Sequence, residues 1–351
     1  METLLRALVE RQASDLHVSV GSPPIIRHDG EIKPLPDMPR LSSTDTQQLL
    51  LSIAPPRNRE EFERRHDTDF AYEIPGLARF RCNLFVDRLG MGGVFRVIPH
   101  RILTAEEMGL PTEILDLCRL PKGLVLVTGP TGSGKSTSLA AMIDHINATR
   151  ALHIVTVEDP IEFLHRNKSC LVNQREIGSD TQSFKRSLRS ALREDPDVVL
   201  VGEMRDIETI EAALTIAETG HLTFATLHTS DCVQTINRVV DVFPAHQQQQ
   251  VRTQLSFSLQ AVLCQQLIPS ATGRGRVLAL ETMIANSAIR SLIRDDKAHQ
   301  IYSIIQTGGK LGMRTMNQSL HELCRKNLIT YDDALAHSGD IEDLKRTFAR
   351  A

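Results

Sequence analysis

Gly129-Pro130-Thr131-Gly132-Ser133-Gly134-Lys135-Ser136-Thr137 is the segment from which the architecture is read. Its first eight residues fit the phosphate-loop pattern G-x-x-x-x-G-K-[ST]. An apolar, strand-like run at 124–127 leads in, and a helix-forming run at 138–143 leads out. Glycines in such a loop let backbone N–H groups close around phosphate, and the helix N-terminus that follows favours negative charge. In that geometry Lys135 contacts the β- and γ-phosphates of a nucleotide and the Ser136 hydroxyl ligates Mg²⁺.

Outward from the loop, strand-like runs at 124–128, 153–157, 198–201 and 222–226 alternate with helical stretches. That alternation predicts βαβ units, a mostly parallel sheet and an α/β class. Residues 1–100 read instead as a small α+β unit. Leu4, Leu5, Leu8 and Val9 have helical spacing, and Ser42-Ser43-Thr44-Asp45 caps a second helix over Leu49-Leu50-Leu51. Turns are expected at Asp29-Gly30 and around the prolines at 23–24 and 34–36. Residues 79–85 and 94–98 are the clearest strands of that unit. Pro99 to Pro121 reads as a connector with one short helix. The division is thus 1–100, a linker at 101–121, a phosphate-loop core at 122–270 and a largely helical region at 271–351, broken at Gly308-Gly309. The short run Gln247–Gln250 reads as a solvated helix face.

At 351 residues the chain is long enough for two or three domains at about 150 residues each. Apolar residues make up 41% and charged residues 24%, which excludes a disordered, collagenous or coiled-coil rod class. The net charge of −3 argues against broad nucleic-acid coating, and the absence of Trp with only three Tyr leaves few stacking platforms. The six cysteines, at 82, 118, 170, 232, 264 and 324, form no CxxC pair. They therefore suggest neither a disulfide framework nor a zinc ribbon, and they suit a reducing compartment. The start, Met1-Glu2-Thr3-Leu4-Leu5-Arg6, does not read as a secretory signal, and no run approaches the roughly 20 apolar residues of a membrane span.

Three further segments carry candidate chemistry. Glu158-Asp159-Pro160-Ile161-Glu162 follows the strand at 153–157, so its carboxylates stand at a strand's carboxyl end, where open α/β sheets bind ligands. Carboxylates there can orient Mg²⁺ or polarise an attacking water. Asp197-Val198-Val199-Leu200-Val201-Gly202-Glu203 is a buried strand ending in an acid. Glu203 takes the Walker B position, whereas Asp197, at the opposite end, reads as a cap. Thr219-Gly220-His221 and Thr226-Leu227-His228-Thr229 flank a further strand; His228, after that strand, is the stronger candidate to sense phosphate, with His221 second. Phosphoryl transfer also needs positive charge against its transition state, for which Arg79, Arg81, Arg96, Arg193, Arg205 and Arg238 are candidates.

In order, these segments resemble the Walker A, Asp box, Walker B and His box of the type II/type IV secretion ATPase superfamily. Ser14-Asp15-Leu16-His17 resembles that family's amino-terminal domain. Within it the chain is similar to the type IV pilus retraction ATPases: it is short, it lacks a tetracysteine module, and Ala288-Ile289-Arg290-Ser291-Leu292-Ile293-Arg294 is similar to their AIRNLIRE signature, with Ser291 for Asn and Asp295 for Glu. The resemblance implies a PAS-like amino-terminal domain, a RecA-like core with a helical carboxy-terminal extension, and a homohexameric ring with nucleotide between the domains. It implies ATP and Mg²⁺ as ligands, with Gly129 to Thr137, Glu158, Asp159 and His221 around the nucleotide and Ser136 and Glu203 at the metal. Glu162 becomes catalytic base or water orienter, Glu203 the Walker B acid, His228 a sensor, and Arg81 and Arg96 the arginines near the phosphates. The implied setting is cytoplasmic, peripheral to the inner membrane, with a pilus platform protein as partner and a paralogous retraction ATPase as a second. Rival readings are an accessory retraction motor, a pilus-assembly or type II secretion ATPase, a nucleic-acid translocase, and a nucleotide-binding subunit without turnover.

Overall fold

The computed structural model describes residues 1–28, 30–98 and 101–349. Asp29 of the expected Asp29-Gly30 turn and Pro99 at the start of the connector lie outside the described residues. The chain divides into an amino-terminal unit, Met1–Arg101 with Pro160–Leu164, and a carboxy-terminal unit, Ile102–Asp159 with His165–Ala351.

The amino-terminal unit opens with α1 (Glu2–Glu10), whose Leu4, Leu5 and Leu8 lie on one buried face. Strands β1 (Asp15–Val18), β2 (Ile25–His28) and β3 (Glu31–Pro34) follow. Helix α2 (Ser43–Ile53) starts where the sequence places its cap. The Ser42 hydroxyl accepts from the Asp45 N–H, and the Asp45 carboxylate accepts from the Ser42 N–H. Helix α3 (Pro56–Arg65) departs from the sequence reading, because a segment so rich in Arg and Glu carries no apolar period to detect. Pro56 supplies its start, with φ already fixed for the first turn. Strands β4 (Asp67–Ile74), β5 (Ala78–Asp87) and β6 (Gly90–Ile98) complete an antiparallel sheet in the order β3-β2-β1-β6-β5-β4. Alternation along β5 sends Ala78, Phe80, Cys82 and Leu84 into the core with Leu5, Leu8 and Leu50. Arg79, Arg81 and Asn83 take the opposite face.

The carboxy-terminal unit runs α4 (Thr112–Leu117), β7 (Gly123–Thr128), α5 (Lys135–Thr149), β8 (His153–Glu158), β9 (Leu171–Glu176), α6 (Phe184–Ala191), β10 (Val198–Val201), α7 (Ile207–Glu218) and β11 (Leu222–Leu227). It continues with α8 (Cys232–Asp241), α9 (Ala245–Ser258), β12 (Leu259–Pro269), β13 (Arg276–Ile284), α10 (Ser287–Arg294), α11 (Ile301–Thr307), α12 (Met316–Arg325), α13 (Tyr331–His337) and α14 (Ile341–Ala349). The sheet order is β13-β12-β7-β11-β10-β8-β9, parallel throughout except for β13. Strands β7, β10 and β11 are buried along their whole length, as strands covered on both faces must be, which is why their sequences run apolar without alternation. Asp197 caps as expected, its carboxylate accepting the His153 N–H at 2.9 Å. The glutamines at 247–250 lie on α9 and are mostly exposed.

The region 271–351 is largely helical as read, with one strand that the reading did not place. Arg276–Ile284 is a full strand, paired with β12 over nine residues. Glu281 and Thr282 put buried polar groups in it, which masks the strand pattern. The α/β class with a RecA-like parallel sheet, a separate antiparallel unit and helices at the carboxyl end holds. Phe224 is fully buried at the middle of β11, between β7 and β10. Replacing it with Ala is expected to cost about 3–5 kcal/mol, read as a lowered midpoint in chemical denaturation.

Candidate active site

Strands β7, β11, β10 and β8 are neighbours running in the same direction, so their carboxyl ends stand side by side. The phosphate loop leaves β7. Gly129 has φ of +136°, and a Cβ there would collide with the Gln265 backbone oxygen of β12 and come within 2.7 Å of Ser133 Oγ. Gly132 and Gly134 also have positive φ, +79° and +88°. The loop is therefore a tight bend against β12 that admits no side chain at its first residue. Pro130 and Thr131 sit on its exposed rim.

The chain then enters α5, with Gly134 at the cap position and no side chain capping the first turn. The N–H groups of that turn thus face the loop, flanked by the half-buried Ser136 and Thr137. Ser133 Oγ is buried without a hydrogen-bond partner. An orphaned hydroxyl in a glycine cradle at an uncapped helix start fits a bound phosphate group, and oxygen donors at Ser136 and Glu203 suit Mg²⁺.

Lys135 is buried, and its Nζ donates to the Gly129 carbonyl at 2.8 Å and the Pro130 carbonyl at 3.1 Å. It also stands 3.5 Å from His228 Nδ1. An ammonium has only donors, so His228 Nδ1 accepts and the ring proton sits on Nε2. Nε2 faces Glu203 Oε1 at 3.2 Å, and Glu203 Oε2 pairs with Arg205 Nη2 at 2.7 Å. Lys135, His228, Glu203 and Arg205 thereby form one line of alternating donors and acceptors. Partial burial pushes the Glu203 carboxyl up, but Arg205 and His228 outweigh it and hold the group below its ordinary range. Glu203 therefore stays ionised at neutral pH, and the pairing is lost only on acidification through that lowered value.

Backbone stitching fixes this line. The Met204 N–H donates to the Thr226 carbonyl at 3.0 Å, and the Thr226 hydroxyl to the Gly202 carbonyl at 2.5 Å. The turn carrying Glu203 and the strand end carrying His228 are thus one rigid piece. Gly202 permits the contact with β8: a Cβ there would lie 3.1 Å from Glu158 Cα. Glu158 accepts from Thr156 Oγ1 at 2.7 Å and Gln174 Nε2 at 3.2 Å, while Asp159 is exposed and feels Arg205 electrostatically.

The other candidates divide. His221 is corrected as a group beside the loop of its own chain: it precedes β11, its Nδ1 lies 3.0 Å from the Ile216 carbonyl, and β11 separates it from His228. At about 3.3 Å per residue that strand spans roughly 20 Å. Of the arginines in this unit Arg205 joins the line, whereas Arg193 and Arg238 are exposed after α6 and on α8. Glu162 belongs, with Pro160–Leu164, to the amino-terminal unit, as do Arg81 and Arg96. Those two arginines lie directly opposite each other on β5 and β6, an arrangement that like charges resist. Asp15, opposite Arg96 on β1, offsets it through an ion pair of 2.8 Å to Arg96 Nε. This gives Asp15 of the Ser14-Asp15-Leu16-His17 segment a physical task.

Sequence reasoning missed two loop neighbours. Arg276 Nη1 donates to the Gly132 carbonyl at 3.3 Å, and buried Gln265 donates to Ser138 Oγ at 2.7 Å, tying β12 to α5. The signal for the first was Gly273-Arg274-Gly275-Arg276, a turn sequence inside the region read as helical. Because Gly129 cannot accept a Cβ, Gly129→Ala is expected to abolish ADP binding in calorimetry while the far-ultraviolet circular dichroism stays that of the folded protein.

Comparisons with known proteins bear on this geometry. The family described as type II/IV secretion system protein matches residues 94–276. The chain is 54% identical over 331 residues to the type IV pilus retraction ATPase PilT of Pseudomonas aeruginosa, covering 94% of this chain and 96% of that one. It is 40% identical over 344 residues to the type IV pilus ATPase PilU of the same organism, covering 98% and 90%. The crystal structure of the pilus retraction motor PilT with bound ADP aligns with a TM-score of 0.91 at 50% identity over 98% of each chain. With a phosphate loop, Glu203 and His228 at adjoining strand ends, and these likenesses along nearly its whole length, the chain belongs to the type II/IV secretion system protein family.

Proposed function

We propose that this protein is an ATP-hydrolysing motor that works as a homohexameric ring and powers retraction of type IV pili. The observation that carries the reading is the line Lys135–His228–Glu203–Arg205 at the phosphate loop, in a chain 54% identical to a retraction ATPase. In this reading the loop N–H groups from Gly129 to Thr137 and Lys135 hold the β- and γ-phosphates. Lys135 exchanges the Gly129 and Pro130 carbonyls for phosphate oxygens, a swap of neutral acceptors for charged ones that favours binding. Ser136 and Glu203 would hold Mg²⁺, which when bound neutralises phosphate charge.

Losing Lys135 as a neighbour frees His228 Nδ1, so His228 and Glu203 respond to whether the γ-phosphate is present. Glu162, with Glu158 and Asp159 in the same acidic segment, orients and polarises the attacking water. Arg81 and Arg96 supply positive charge to the transition state. These groups act by positioning and electrostatics and need no covalent intermediate. Among the described residues no helix is long and apolar enough to cross a membrane. In this reading a platform protein of the inner membrane is the attachment point, on the cytoplasmic side, and a PilU-like paralogue is a second partner.

Two measurements test the proposal. Purified protein is expected to hydrolyse ATP, and Glu162→Gln to lower kcat by about 10²-fold or more, the usual worth of a positioned general base; equal rates would remove Glu162 from the chemistry. In cells, Lys135→Ala is expected to leave abundant pili on immotile cells. Bald cells would mean that the motor assembles the fibre, and unchanged pili and motility would point to an accessory motor.

A further inference from the structure

Glu281 is a carboxylate that nothing in the site chemistry above uses. It sits on β13 and is 3% exposed. Oε1 accepts from the Cys232 N–H at 2.8 Å, and Oε2 accepts from the Met316 N–H at 3.2 Å. Cys232 and Met316 are the first residues of α8 and α12. One buried anion therefore closes the amino-terminal ends of two helices, each of which carries unsatisfied N–H groups and a positive dipole end. Asp231 and Thr315 cap the same helices one residue earlier, through the Gln234 and Gln318 N–H groups, so Glu281 is an addition to ordinary capping.

The position of those two helix starts matters. Helix α8 begins four residues after His228, and the loop between them is held by the same cluster. The Thr229 and Thr235 hydroxyls are 2.6 Å apart, Thr235 Oγ1 donates to Thr128 Oγ1 at 3.5 Å, and Cys264 Sγ lies 3.7 Å from the Thr229 carbonyl. Cys264 is directly opposite Glu281 on β12 and directly opposite Thr128 on β7. On the other side, Thr282 and Arg314 exchange backbone hydrogen bonds of 2.9 and 3.1 Å just before α12. Burial raises the Glu281 carboxyl above its usual range despite the backbone donors, and nearby Asp231 adds to that rise. Ionising the group there thus costs stability, and an apolar or amide side chain would avoid that cost.

We propose that Glu281 is a positioning residue: by bridging the starts of α8 and α12 it holds the His228 loop in register and couples that loop to the carboxy-terminal helices. The inference rests on the role given above to His228. The test uses the full-length protein with the variants E281Q and E281D. In E281Q the amide oxygen still accepts from one helix start, but its NH₂ meets the other donor to donor.

The expected result is a kcat for ATP lowered roughly tenfold, the worth of one hydrogen bond to a charged acceptor, with KM little changed. The melting temperature is expected not to fall, since relief of the buried charge offsets the orphaned N–H. Hydrogen exchange is expected to quicken in 228–235 and in 314–318 together. E281D keeps the charge on a shorter stem, reaches one helix start, and is expected to fall between. An unchanged kcat, or a lowered melting temperature with exchange in 228–235 unaltered, would overturn the proposal. If the wild-type protein turned over no ATP, the reading of the site would fail, while paired or unpaired changes in exchange would still decide the role of Glu281.

Discussion

The close approach of Gly129 to the Gln265 carbonyl is the constraint on which the site depends. β12 crowds the end of β7 so tightly that the chain must turn at once, with positive φ, and the turn leaves its N–H groups facing the start of α5. Lys135 then donates to the Gly129 and Pro130 carbonyls of its own loop. That self-contact keeps the ammonium placed and desolvated at the point where phosphate charge would enter. A preorganised cation in a partly dry pocket interacts far more strongly than one free in water. The parallel sheet contributes the rest, because neighbouring strands β11, β10 and β8 deliver His228, Glu203 and Glu158 to the same edge without any long loop.

How much of this could be read from sequence follows from what each feature asks of local chemistry. The phosphate loop, the buried strands and the Ser42 and Asp197 caps were legible because short-range geometry dictates their residue types. Helix α3 was not: its stability comes from a proline start and polar contacts, as when Asn58 donates to Thr68 Oγ1, and leaves no apolar period. Strand β13 was hidden for a related reason, since Glu281 and Thr282 are buried by partners far away in sequence. His228 ranked above His221 because it follows the strand and His221 precedes it, and β11 does place the two at opposite ends. The Gly273–Arg276 turn could be read locally, but not its hydrogen bond to Gly132, which crosses 144 positions of chain.

The two units reach function through different physics. In the carboxy-terminal unit Lys135, His228, Glu203 and Arg205 contact one another in a line. In the amino-terminal unit Arg81 and Arg96 face each other on an exposed sheet surface, with Asp15 offsetting part of the repulsion. Such an arrangement is tolerable in water and becomes favourable when an anion is brought against it, because the anion relieves the repulsion as well as pairing with the charges. The arrangement therefore supports the assignment of these arginines to phosphate more strongly than either residue would alone.

The segment Ala288–Arg294 shows how a signature can be part scaffold and part free surface. Ile289 and Ile293 are fully buried, which accounts for the apolar positions. Arg290 does more than its charge suggests: it donates to the Ser256 carbonyl at 2.7 Å, the Phe257 carbonyl at 3.0 Å and Gln260 Oε1 at 3.1 Å. It thereby satisfies the end of α9 at the point where the chain becomes β12, the strand that crowds the phosphate loop. Arg294 lies over the exposed ring of Phe257, 5.8 Å from its centroid. The two departures from the signature fall elsewhere, Ser291 half-buried and Asp295 exposed. Within this segment Ile289, Ile293 and Arg290 thus do the structural work beside α9 and β12.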